Sequence, residues 1–185
     1  MLEDVLLETE DKMDKTQQFL QQELSGLRTG KAHPSLVDTI TVDYYGTPSR
    51  LRDIASISTP EPRLIVISPF DPSSLGLIEK AIIAANIGIT PMNDGRLIRV
   101  PIPELSEERR KDMVKIAGRT TEEQRIAIRN IRRDANDQIK GLQKKGDITE
   151  DQRDTALDDI QKSTDGHIKK MDEMLATKEK DILEV

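Results

Sequence analysis

Apolar residues recur along the first part of the chain at seven-residue intervals. Leu6, Met13, Leu20 and Leu27 are evenly spaced, with Leu24 adding a contact near the end. Asp, Glu, Gln and Lys fill the positions between them, which is the signature of a helix with one buried seam. The pattern predicts a helix over residues 2–28, ending near Gly30, where glycine can take the left-handed cap conformation. A second long helix is predicted over 105–145, with Ser106 as N-cap and Glu107 and Glu108 in the first turn, where carboxylates suit the helix dipole. Ile128, Ile131, Ala135, Ile139 and Leu142 step by three and four along one stripe, and Gly146-Asp147 punctuates the end. A third helix follows from Thr149, whose hydroxyl can cap it with Asp151 or Gln152 in the first turn. Its seam runs through Leu157, Ile160, Ile168, Met171, Leu175 and Ile182. At ~1.5 Å per residue these helices are roughly 40–60 Å long. They can bury their seams against one another and are too long to wrap a compact globule.

Between the first two helices the pattern changes. Seven prolines fall by residue 91, with the other two at 101 and 103. Thr39–Tyr45 is β-prone and Gly46-Thr47-Pro48-Ser49 reads as a turn. Further strands are predicted at Ile54–Ser58 and Arg63–Ser68. Asp71-Pro72 should then start a short helix through Asn86, with Leu75, Ile78, Ile82 and Ile83 inward. Met92-Asn93-Asp94-Gly95 is a hairpin signal before a strand at Arg96–Val100. The predicted fold class is therefore α+β: a long three-helix bundle, residues 1–30 and 104–185, with a small inserted β/α/β domain at 31–103. The short connections, Gly30, Lys31 and Ala32 on one side and Pro101, Ile102, Pro103 and Glu104 on the other, are candidate hinges.

Composition sharpens this picture. The 185 residues include no cysteine, no tryptophan and 2% aromatics, so the cores are aliphatic and disulfides and thiolate metal sites are excluded. No apolar run approaches the ~20 residues that cross a bilayer, and the acidic start Met1–Glu8 cannot open a signal peptide. A cytoplasmic protein with no membrane association is expected. Two histidines, His33 and His167, have no partner histidine or cysteine at metal-ligand spacing and read as surface bystanders. The string Gly26-Leu27-Arg28-Thr29-Gly30-Lys31-Ala32 fails as a phosphate-binding loop. Its glycines are too close, no Ser or Thr follows the lysine, and it ends a helix where such a loop should open one. Nothing assembles a nucleophile, base and oxyanion site, so neither catalytic residues, nor a cofactor, nor metal ligands are expected.

Charge supplies the positive clue. The net charge is -6, but its distribution is uneven: -4 over residues 1–30, -1 over 31–104, +5 over 105–145 and -6 over 146–185. On a helical wheel at ~100° per residue with Ile128 at zero, the core stripe spans about -60° to +20°. Arg132, Arg125, Arg129, Lys111, Lys140, Lys115 and Arg133 fall at about 40–140°. Glu122 is the acidic exception inside that sector. A charge run is ordinarily a solvated face, here one that the acidic third helix could pair. Arginine dominates this ridge, however, and its planar fork suits phosphates and base edges better than lysine does. RNA is therefore favoured as the ridge's partner over an acidic protein bound by a helical adaptor.

Glu107-Glu108-Arg109-Arg110-Lys111-Asp112 and Arg129-Asn130-Ile131-Arg132-Arg133-Asp134-Ala135-Asn136-Asp137 resemble the bacterial ribosome recycling factor family. So do Leu27–Ala32 with Pro34-Ser35-Leu36, Tyr44-Tyr45-Gly46-Thr47-Pro48 and Ile98-Arg99-Val100-Pro101. The resemblance implies an L-shaped molecule with a hinge between its domains, and the length of the helices predicts an elongated monomer. It implies action after termination: with elongation factor G, and GTP hydrolysed by that factor, the family splits the post-termination ribosome and frees messenger and deacylated transfer RNA. Carried over by motif, Arg132 is the residue most tied to function. Arg110, Arg129 and Arg133 stand beside it as contacts to large-subunit ribosomal RNA, and Arg28 is a weaker candidate. Lys31 and His33 depart from the family's usual arginine and small residue.

Overall fold

The computed structural model describes residues 1–184. Among the described residues, five α-helices and six strands run in the order α1 (Leu2–Ser25), β1 (Thr41–Tyr44), β2 (Thr47–Arg50), α2 (Leu51–Ile54), β3 (Ala55–Glu61), β4 (Leu64–Pro69), α3 (Leu75–Ala84), β5 (Met92–Asn93), β6 (Ile98–Pro101), α4 (Glu107–Lys145) and α5 (Glu150–Leu183). The class is α+β, as expected. The chain divides into two compact units, Met1–Leu27 with Arg110–Val185, and Arg28–Arg109.

The first unit is a bundle of α1, α4 and α5. One layer of its core joins Met13, Leu20, Leu24, Ala117, Ile128 and Met171, and a second joins Ala135, Ile139, Ala156 and Ile160, with Leu2, Val5 and Leu6 packed at its edge. Capping defines the long helices. Ser106 Oγ accepts from the Arg109 N–H at 3.2 Å. Thr149 and Gln152 form a reciprocal capping box, with bonds of 3.2 and 2.9 Å. The end of α4 closes on Gly146 at φ +83°. Gly146 N–H returns to Gln143 O and Asp147 N–H to Leu142 O, both at 3.0 Å, the double bond of a Schellman cap.

α1 stops earlier than its heptads suggest. It ends at Ser25, with Gly26 N–H bonded to Gln22 O, and the left-handed Gly30 (φ +75°) lies beyond the helix. Glycine at 26 is a weak helix former, whereas Leu27 continues the apolar pattern because it still packs, half-buried, on the bundle core.

In the second unit, β3-β4-β6-β5 form an antiparallel sheet and β1-β2 a separate hairpin. α3 packs on a core of Val42, Leu51, Ile65, Ile67, Ile78, Ile82, Ile98 and Val100. Three expectations need correction. Thr47, Pro48 and Ser49 are strand, not turn. The turn is Tyr45-Gly46, both at positive φ (50° and 79°), the two-residue geometry that matches strand twist. Ile83 is 58% exposed, because α3 is short and only the i, i+3, i+7 positions Leu75, Ile78 and Ile82 reach the sheet. Its first turn is a separate 3-10 turn, Pro72–Ser74, capped by Asp71, whose Oδ1 accepts from Ser73 N–H at 3.0 Å. The last strand begins at Ile98, not Arg96, because the Asp94 carboxylate takes the Arg96 and Leu97 N–H groups at 3.0 and 2.8 Å.

Candidate nucleic-acid interface

α4 carries the basic ridge, and its arginines meet different partners. Arg125 is only 20% exposed. Its Nε and Nη2 both donate to Asp172 Oδ1 on α5, at 2.8 and 2.5 Å, and its Nη1 donates to Glu122 at 2.9 Å. Arg129 Nη1 reaches the other oxygen of the same Glu122 at 3.2 Å. The hydrogen bonds from Arg125 and then Arg129 hold the Glu122 carboxyl below its ordinary range. Glu122, the acidic exception on the wheel, is therefore a clamp across two arginines.

One turn further on, the partners change. Half-buried Arg132 donates through Nη1 to the Gln161 amide oxygen of α5 at 3.3 Å. Gln161 in turn donates to Asp165 at 2.9 Å. Exposed Arg133 reaches the Asn130 amide oxygen at 3.5 Å. Among the described residues, neither forms an ion pair, so each keeps its formal charge facing solvent. A neutral amide aims the Arg132 fork without cancelling it. Such a group loses little freedom on meeting a phosphate and can engage it through two hydrogen bonds.

The structure brings Arg129, Arg132 and Arg133 together within about one turn. Arg110 lies on the same helix, 19 residues upstream, or about 28 Å along the axis. Arg28 belongs to the second unit, where its guanidinium lies against Gly88: a Cβ there would stand 3.0 Å from Nη1. It lines an apolar cleft with Gly30, Ile87, Ile89, Ile102 and Leu105. The candidate hinge residues also sit in that unit. Ala32 N–H bonds to Pro62 O at 2.6 Å, Pro101 is the last residue of β6, Ile102 N–H bonds to Arg63 O at 2.8 Å, and Glu104 pairs with Arg63 at 3.2 Å.

His33 is exposed, as expected, but His167 is not a surface residue. His33 Nδ1 accepts from Ser35 N–H at 3.2 Å and caps the 3-10 turn Pro34–Leu36. His167 is 4% exposed and faces Glu10, Asp14 and Gln17 of α1. The signal was present at 10, 14 and 17, which share one helical stripe. What the sequence could not give was the facing of α5.

The chain thus combines a helical unit carrying an arginine-rich helix with a separate α+β unit, and no helix among the described residues is long and apolar enough to cross a membrane. The ribosome recycling factor family model matches residues 20–183. The ribosome-recycling factor of Bacillus subtilis is 48% identical over 185 residues, covering all of both chains, and that of Staphylococcus aureus 49% over 184, again covering both. A solution structure of ribosome recycling factor aligns with a TM-score of 0.83 at 38% identity, covering 100% of this chain and 98% of that one. The T. thermophilus ribosome recycling factor, described with E. coli elongation factor G on the E. coli post-termination complex, aligns with a TM-score of 0.70 at 42% identity over the full length of both. The chain belongs to the ribosome recycling factor family, whose members are non-enzymatic ribosome-binding factors.

Proposed function

We propose that this chain binds the large ribosomal subunit through the α4 ridge, with Arg132 and Arg133 on ribosomal RNA phosphates and Arg129 and Arg110 extending the contact. Working in the cytoplasm as a monomer with elongation factor G, a GTPase, it splits the post-termination ribosome and releases the messenger. The carrying observation is the pair Arg132 and Arg133, aimed by amide oxygens and left with its charge. Family membership supplies the setting. Arg28, lodged against Gly88, supports the contact less directly.

The test is light scattering of post-termination ribosomes. Adding the chain with elongation factor G and GTP should lower scattering as subunits separate, and omitting either factor should leave it unchanged. Unchanged scattering with both factors present would overturn the reading. Salt-insensitive capture of an acidic protein, without ribosome co-sedimentation, would favour the adaptor role instead.

A further inference from the structure

His167 of α5 is buried to 96%, and its two ring nitrogens are held differently. Nδ1 lies 2.7 Å from Gln17 Oε1. Nε2 lies within hydrogen-bond reach of Glu10 Oε1 at 3.1 Å, and when Nδ1 donates to the Gln17 amide oxygen, Nε2 is free to present a lone pair to a cation. Nε2 thus faces two carboxylates of α1, Glu10 Oε1 at 3.1 Å and Asp14 Oδ1 at 3.7 Å. Two half-exposed carboxylate oxygens and one nitrogen of a buried imidazole converge on a single point, which a proton on Nε2 or a cation can occupy. A proton on Nε2 would serve Glu10 alone, since 3.7 Å is beyond hydrogen-bond reach.

A borderline cation of zinc size serves all three. With bonds of about 2.0–2.1 Å, a tetrahedral shell has ligand–ligand edges of roughly 3.3–3.4 Å, between the two observed separations. All three ligand atoms lie within 4.8 Å of one another. The outer shell is in place as well. Gln17 Oε1 holds the Nδ1 edge of the imidazole, and Ser163 Oγ donates to Glu10 Oε2, leaving Oε1 turned inward. That Ser163 bond is the main reason the Glu10 carboxyl sits below its ordinary range, against the cost of its burial. Orienting partners of this kind are what distinguish a metal-ligand set from a chance cluster. Glu10 and Asp14 are about half exposed, so water can complete the coordination. The Lys170 ammonium also acts on Glu10 from α5 and opposes a cation.

We propose that Glu10, Asp14 and His167 form a three-ligand site for Zn²⁺ or Co²⁺ that clips the middle of α1 to α5. One imidazole with two carboxylates suits such ions better than Mg²⁺ or Ca²⁺, which prefer oxygen alone. The chain has no cysteine and one other histidine, so the background is low.

The test uses the full chain with Zn²⁺ alone by calorimetry and Co²⁺ alone by visible absorption. One ion per chain at micromolar affinity is expected, with the absorption of four-coordinate Co²⁺. At a hundredfold excess over Kd, Zn²⁺ should raise the Tm by about 5–10 °C. Asp14→Asn, at an exposed position that leaves folding intact, should weaken binding by about tenfold or more. His167→Gln should abolish it, His33→Ala should not alter it, and Lys170→Ala should tighten it. Equal Zn²⁺ affinity in the wild type and Asp14→Asn, or a wild-type Tm that Zn²⁺ does not move, would overturn the site. His167 would then be an imidazolium bonding the two helices.

Discussion

Two adjacent stretches of α4 carry the same residue type to opposite ends. At position 125 the arginine is spent: Asp172 holds it to α5 and Glu122 clamps it, while Arg129 keeps one bond to the same Glu122. At 132 and 133 the arginines meet only amide oxygens among the described residues. The lesson is that a basic ridge is not one surface. Arg125 belongs to the bundle's own electrostatics, Arg129 is shared with Glu122, and at 132 and 133 no carboxylate of the described residues pairs the charge.

The sharpest way to break this comparison is to remove the downstream pair. Arg132→Ala with Arg133→Ala should weaken binding to large subunits by at least about a hundredfold, from two charged hydrogen bonds of roughly 1.5–3 kcal/mol each. The melting temperature should hardly change, and filter binding with a parallel thermal melt reads both. Next in size is the opposite pattern at Arg125. Arg125→Ala should lower stability by about 1–2 kcal/mol, a charged hydrogen-bond value discounted because Asp172 is 52% exposed. That corresponds to a fall in Tm of about 2–8 °C, with ribosome affinity within about twofold of wild type. A large loss of affinity without loss of stability at Arg125 would erase the distinction between the stretches. The smallest effect sharpens it from the other side. Glu122→Gln removes the clamp on Arg129, and affinity should rise about two- to fivefold, the worth of an exposed ion pair. An unchanged affinity would mean that Arg129 does not meet the partner.

Much of the bundle is legible from local rules. Ser106, the Thr149–Gln152 capping box and Gly146 act within a few residues of themselves, so their chemistry reads directly along the chain. The seam residues Met13, Leu20, Ile128 and Met171 are buried as their spacing requires. What did not read is tertiary. The wheel placed Arg125 and Arg132 in one sector, and it is α5 that separates them, offering a carboxylate at Asp172 and an amide at Gln161. His167 and Glu10 lie 157 residues apart, and no spacing rule connects them. At Ile83, too, helical periodicity promised burial that a single sheet face cannot supply.

The claim that amide-aimed guanidinium groups, rather than positive charge alone, make the contact is tested at one position. Dissociation constants for large subunits should be measured over a salt series for wild type, Arg132→Ala, Arg132→Lys and the distant control Lys180→Ala. Arg132→Ala should bind about 10–150-fold more weakly, with a salt slope lower by about one phosphate contact. Arg132→Lys should recover the slope but only part of the affinity, because it keeps the charge and loses the two-pronged donor. Lys180→Ala should match wild type. Full recovery by lysine would contradict the aimed fork, and wild-type binding by Arg132→Ala would contradict the ridge as the RNA surface.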